Sequence, residues 1–179
     1  MALDERDCRP WPESSLVAGQ VYTDQHAVIL EAALYEPGEG EGGPDYGPLA
    51  GCRAIKRLRV TVDTPTSKPY SVSLSWFPKD LVGAGAPLDE LCPLLLETGR
   101  LQQGTSAYIR EHTGLTINRG FDQVAIGMAA ATEAEALGVA VGTPVRRTTS
   151  LMYAGDVLVE YAESSTASQM WAEYYWKRD

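Results

Sequence analysis

The sequence predicts an α+β domain, a central and mostly antiparallel sheet flanked by short helices. Three observations carry this expectation. Residues 54–63 and 70–77 read as strands, joined by the short turn Asp63-Thr-Pro-Thr-Ser-Lys-Pro69. A link of that length makes an antiparallel hairpin the natural pairing. A second hairpin is expected from 145–153 and 157–163 across Ala154-Gly-Asp156, and the helical segments at 88–96, 105–112 and 132–138 are all short.

Taken in order, residues 1–20 form a polar lead-in containing Arg9-Pro-Trp-Pro12, and 21–179 make up the domain. Periodicity alone leaves Val28-Ile-Leu-Glu-Ala-Ala-Leu-Tyr35 open between a strand and a short helix. Glu36-Pro-Gly-Glu-Gly-Glu-Gly-Gly-Pro-Asp-Tyr-Gly-Pro48 holds no regular element and must be a loop. In the second strand, Tyr70, Val72, Leu74 and Trp76 alternate with Ser71, Ser73, Ser75 and Phe77, and Pro78 closes it. Gly83-Ala-Gly-Ala-Pro87 is a turn, and Gly114 ends the helix at 105–112. Residues 115–130 read as a long strand. Thr132 is the expected N-cap of a helix that has a carboxylate in its first turn and Gly138 at its end. The tail Met170-Trp-Ala-Glu-Tyr-Tyr-Trp176 is aromatic enough to pack on the body.

Composition bounds the function. A chain of 179 residues, 44% apolar and 22% charged, suits one domain that needs no metal or disulfide to fold. With 15 Lys+Arg against 24 Asp+Glu the net charge is −9, which excludes a surface devoted to nucleic acid but not a local basic pocket. Cys8, Cys52 and Cys92 are far apart, and His26 and His112 do not complete a zinc-ligand spacing, so reduced thiols in a cytoplasmic protein and no cofactor are expected. No apolar run approaches the roughly 20 residues that span a bilayer, and the charged start is no signal peptide. GxSxG, P-loop and HExxH motifs are absent from the sequence, and no GxGxxG is read after a strand.

The sharpest chemical signal is Arg57-Leu58-Arg59. On a strand, Ile55, Arg57, Arg59 and Thr61 share one face, with the two arginines about 7 Å apart. Their repulsion is relieved by an anion, an internal carboxylate or water. Beside them Ser71, Ser73 and Ser75 offer a row of hydroxyls that both donate and accept, unless that face is simply solvated. Thr105-Ser106 opens a helix whose N-terminal amides suit an anion, or else supplies an ordinary N-cap. Glu160 is an acid inside an apolar strand, and His112 sits at a helix end where a solvated or capping role is expected.

The order of these segments is informative. Arg57-Leu-Arg59, Ser73-Leu-Ser-Trp-Phe-Pro78, Gly104-Thr-Ser-Ala-Tyr108, Leu137-Gly-Val139 with Gly142-Thr-Pro-Val145, and Val159-Glu-Tyr-Ala-Glu163 follow one another along the chain. Over about residues 20–176 this set resembles the UTRA domain, the effector-binding part of the HutC subfamily of GntR transcription regulators. The resemblance implies a chorismate lyase-like fold, usually dimeric, with a pocket for a small and often anionic metabolite. By position it implies that Arg57 and Arg59 form the anion site. Ser106 is then the hydroxyl at the helix start, Tyr108 the aromatic beside it, and Glu160 the acid that meets ligand hydroxyls. Ser73 stands where many sugar-sensing members carry Glu, and Thr166 where many carry Tyr, which points away from a sugar phosphate. Loop 37–48 replaces a segment commonly helical in the family.

Regulators of this type place a basic winged helix before the domain, in roughly 65–75 residues by the same resemblance. About 20 residues precede it here, too few for a three-helix module that fills a major groove. Two functions follow as expectations. The first is a sensor of a small anionic metabolite, a homodimer that meets DNA only through a winged helix absent from this chain and has no membrane partner. The second is a stand-alone enzyme acting on a small carboxylate, with Glu160 or His112 as acid or base.

Overall fold

The computed structural model describes residues 25–37, 49, 51–64 and 66–167. The lead-in 1–20, most of loop 37–48 and the aromatic tail from Met170 lie outside the described residues. Six strands, β1 (Gln25–Tyr35), β2 (Ala54–Asp63), β3 (Lys68–Pro78), β4 (Arg119–Met128), β5 (Pro144–Ala154) and β6 (Val157–Thr166), form one sheet. Its order is β1-β2-β3-β6-β5-β4, with every neighbouring pair antiparallel. Both expected hairpins form, and the fold class is the α+β arrangement read from the sequence.

The ambiguous segment at 28–35 is strand. Pairing with β2 settles what its own periodicity left open, and a bulge at Leu30 lets it continue in register. The helix expected at 88–96 is two pieces: α1 (Leu88–Leu91) and a 3-10 turn at Pro93–Leu96. Pro93 is the reason, because it lacks an N–H and forces Cys92 out of helical geometry, to φ −126° and ψ 58°. Helix α2 (Thr105–Thr113) ends at Gly114, whose φ of 74° is the left-handed conformation that glycine adopts without strain. The long strand at 115–130 is shorter, since Leu115 and Ile117 run as extended chain into the core before β4 begins.

Helix α3 (Ala131–Leu137) starts two residues earlier than expected, with Ala130 rather than Thr132 at the N-cap. Alanine carries no acceptor for the first turn. Glu133 instead reaches back, its Oε2 accepting the Ala130 amide at 2.9 Å.

The helices divide between the two faces of the sheet. On one face, α1, the 3-10 turn and α2 bury Leu88, Leu95 and Ile109 against Ile55, Phe77 and Val159. Val159 is the extra residue of a bulge between β5 and β6, since Met152 pairs with Glu160 and Tyr153 with Leu158. On the other face, Ala134 and Leu137 of α3 close over Val145 and Val72, and Trp76 packs with Tyr161 and Ala54. The serines of β3 face the first side, and its Val72, Leu74 and Trp76 the second, as the alternation predicts.

A polar clamp fixes α3 to the sheet. Glu133 accepts from Arg147 at 2.6 Å and from Ser165 Oγ at 2.6 Å. Burial alone pushes this acid up, but the hydrogen bonds from Arg147, Ser165 and the Ala130 amide outweigh it and hold the carboxyl at about 2. A depressed carboxyl contributes stability above its unfolded value near 4.5, and that contribution is lost as pH falls towards 2. Arg147 is half exposed, so solvent screening limits the effect to about 1–2 kcal/mol. Acid titration of stability by urea unfolding is therefore expected to show a steeper loss between pH 4.5 and 2 in the native sequence than in Glu133→Gln. Parallel curves for the two proteins would remove the clamp from the account.

Candidate functional site

Strand register brings a polar patch onto the first face. Arg59 lies opposite Ser73, which lies opposite Ser164, and Thr61, Ser71, Thr166 and Arg146 form the next row. The helices cover only part of this face. Above the uncovered part, segment 100–105 arches over the sheet and encloses an open cavity of about 620 Å³.

Four arginines line the cavity: Arg57 and Arg59 from β2, Arg100 from the arch, and Arg146 from β5. Ser71, Ser73, Ser164 and Thr166 form its floor, and His26 with Ile29 of β1 its side. Among the described residues, no aspartate or glutamate lines it. The concentration of positive charge is notable in a chain of net charge −9.

Arg57 has a defined structural partner set. Its guanidinium is 3% exposed and donates to the carbonyls of Leu94 at 2.9 Å, Leu95 at 2.7 Å and Gly99 at 3.4 Å. These are carbonyls at the end of the 3-10 turn and in the loop beyond it, and that of Leu94 also accepts the Glu97 amide at 3.2 Å. Burial first, and the charge of Arg59 second, lower the Arg57 pKa from its usual value. Arginine stays charged despite such shifts. Arg57 therefore pins the roof to the sheet without being neutralised by a carboxylate.

Arg59 and Arg146 differ. The Nε of each is sealed from solvent and has no hydrogen-bond partner among the described residues. Leaving a buried donor unmatched costs on the order of 1–3 kcal/mol, and such groups are rare enough to need an explanation. At the cavity mouth, Gly104 is the N-cap of α2 with φ 80°, and no side chain caps the first turn. The helix thus presents its first amides beside the arginines.

Of the six residues expected to meet the ligand, Arg57, Arg59 and Ser73 come together at the cavity, which Thr61, Ser71 and Thr105 also line. The other three do not line it. Ser106 is exposed in the first turn of α2. Tyr108 is buried in the core, its hydroxyl accepting the Leu94 amide at 3.4 Å. Glu160 lies opposite Met152, beyond Ala162 and nearer the hairpin end than the hydroxyl rows. His112 also lies outside, 2.9 Å from the Tyr108 carbonyl through Nδ1. Sequence reading missed Arg146, Arg100 and His26. Arg146 had a signal, the Arg146-Arg147 pair on a strand, where neighbours must face opposite sides.

A single antiparallel sheet carrying a cationic, hydroxyl-floored cavity under short helices defines a ligand-binding domain of chorismate lyase-like fold. Residues 54–169 match the UTRA domain family, and the chain belongs to that family. Among solved structures, the C-terminal domain of the histidine utilization repressor from Pseudomonas syringae is similar at 15% identity, with 84% of this chain and 99% of that one covered and a TM-score of 0.63. A GntR-family transcriptional regulator from Bacillus cereus gives 15% identity, 87% and 100% coverage and a TM-score of 0.63. The effector domain of PhnF from Mycobacterium smegmatis gives 17%, 80% of each chain and 0.59. At these identities the likeness is one of fold. No curated protein matches the sequence.

The geometry separates the two neighbouring arginines of β2. Arg57→Met removes hydrogen bonds from three carbonyls and is expected to cost about 2–4 kcal/mol, seen as a lower urea midpoint. Arg57→Lys restores only part of this, because one ammonium cannot reproduce the planar fork. Arg59→Met breaks no hydrogen bond among the described residues and relieves repulsion on Arg57, so its stability should stay within about 0.5 kcal/mol of the parent or rise. Equal losses in the two methionine variants would contradict this division of roles.

Proposed function

We propose that this chain is the effector-sensing domain of a GntR/HutC-type transcription regulator and binds a small anionic metabolite in the arginine-lined cavity. The observation that carries the reading is the cavity's charge: four arginines and, among the described residues, no acid. Family membership supports it, as do the similar structures, described as a utilization repressor domain and an effector domain. Arg59, Arg146, Ser73 and the α2 N-terminus would meet the ligand, while Arg57 holds the roof in place. A ligand bound between floor and roof favours the closed placement of segment 94–105, by no more than its differential affinity for the two placements. An attached winged helix would read that change on DNA. We place the sensing domain at residues 21–179, after the lead-in at 1–20, and the protein in the cytoplasm. Among the described residues no helix is long and apolar enough to cross a membrane.

The enzyme alternative has less support. Its candidate acid and base, Glu160 and His112, do not line the cavity. Turnover of a carboxylate substrate would restore it.

Thermal unfolding in the presence of phosphate, sulfate and small carboxylates tests the reading. An anion at 100 times its Kd stabilises by about 2.7 kcal/mol, a Tm rise of roughly 5–10 °C for a domain of this size. The rise should be lost in Arg59→Met, which leaves the fold intact, and the Arg57 variants are unsuitable for this purpose. No stabilisation of the parent by any of these anions at millimolar concentration would overturn the proposal.

The homodimer expected from the family resemblance has a physical basis at β4. Among the described residues this edge strand has one ladder of backbone groups unpaired, and Val124, Ile126 and Met128 share one face at 58–75% exposure. Exposed apolar edges of this kind invite pairing, and two copies of an antiparallel edge satisfy each other about a two-fold axis. β1, the other edge, is partly covered by the 3-10 turn. Light scattering after size exclusion should show a dimer that Ile126→Glu converts to monomer. A monomeric parent, or a variant that stays dimeric, removes β4 as the interface.

A further inference from the structure

We propose that the cavity selects a bis-anion, a short polar molecule with one anionic group held at Arg59 and a second at Arg146. This inference rests on the anion-binding reading above and narrows it to a ligand class.

The argument begins with where the two guanidiniums originate. Arg59 is on β2 and Arg146 on β5, with β3 and β6 between them. Three strand spacings separate their backbones by about 14 Å, and their rows are offset by a further two residues along the strands. Both side chains line the same cavity. They therefore enter it from opposite sides, across a floor of hydroxyls from Ser71, Ser73, Ser164 and Thr166.

Charge gives the second step. Arg57 already holds three carbonyls. Arg59 and Arg146 each retain a buried Nε without a partner, and neither forms an ion pair among the described residues. A single small anion seated at one arginine leaves the buried Nε of the other without a partner. Two anionic groups on one molecule answer both. Placing them on one chain also makes the second contact intramolecular, so it needs no further loss of translational freedom.

Size gives the third. A cavity of about 620 Å³ is far larger than a lone carboxylate or phosphate needs, and within the range of small-molecule sites. The floor between the arginines can donate to or accept from hydroxyl or carbonyl groups on the ligand's middle. The chemical class is thus a dicarboxylate or equivalent dianion of intermediate length with a polar backbone.

The test compares matched acids at fixed ionic strength by calorimetric titration of the whole chain. The pairs are succinate and butyrate, glutarate and valerate, adipate and hexanoate, and D-glucarate and D-gluconate. The expected result is at least a tenfold preference for the dianion in one pair, peaking at one chain length. Arg59→Met and Arg146→Met should each reduce that dianion to the affinity of its monoanionic partner. Arg59→Gln and Arg146→Gln, which remove the charge but keep a polar head, provide the same comparison if a methionine variant does not fold. Binding of monoanions and dianions with equal affinity, or a dianion preference that is flat with chain length and insensitive to Arg146, overturns this inference and leaves the single-anion sensor standing. Absence of binding by every acid and by inorganic phosphate overturns both.

Discussion

The cavity exists because one buried guanidinium grips main-chain carbonyls. Arg57 ties the carbonyls of Leu94, Leu95 and Gly99 to the centre of the sheet, and the chain then rises over residues 100–105 to start α2. Without that anchor, the 3-10 turn would rest on the sheet through Leu95 and its apolar neighbours alone. The anchor is chemically unusual because its partners are dipoles rather than a carboxylate. A glutamate in their place would satisfy the same donors and cancel the charge. Carbonyls satisfy the donors and leave the charge, so the group that builds the roof also contributes to the field beneath it.

The two faces of the sheet treat adjacent arginines in opposite ways. Arg147 faces α3 and is matched by Glu133, which Ser165 and the Ala130 amide also hold. Arg146 faces the cavity and has a donor unmatched among the described residues. Both are consecutive residues of one strand. The difference lies in what the opposing layer supplies. On one side a helix closes the sheet with its own acid. On the other the helices stop short, and the face remains polar, cationic and open.

The pattern of β2 and β3 was readable because period-two alternation fixes faces without reference to the rest of the fold. Arg57, Arg59 and Ser73 follow directly from it. Arg146 depends on sheet order: β6 inserts between β3 and β5, and only that arrangement carries Arg146 to the patch begun by β2. Arg100 and His26 depend on how an irregular segment and an edge strand arrive, which local pattern does not encode. Tyr108 came from family position, and Ser106 and Glu160 from a helix start and an acid in an apolar strand, local signals that do not say which side chains reach a shared cavity. The structure gives them other surroundings: solvent, the Leu94 amide and the hairpin end. The divided helix at 88–96 was legible in principle, since Pro93 stands in its middle.

A chain of net charge −9 that concentrates four arginines in one concavity sets two fields against each other at different distances. Charges separated by more than about 8 Å of physiological solution are largely screened, so the acidic surface acts weakly on a small anion already inside. It acts collectively on a long polyanion, which must lie along that surface to reach the cavity and meets repulsion throughout. The low-dielectric walls favour the local arginines over distant acids for any ligand that fits wholly within. An acidic exterior and a basic interior therefore discriminate by size as well as sign, admitting a compact anion and disfavouring a nucleic acid backbone. That division matches a domain whose contact with DNA, in the proposed regulator, is left to a separate module.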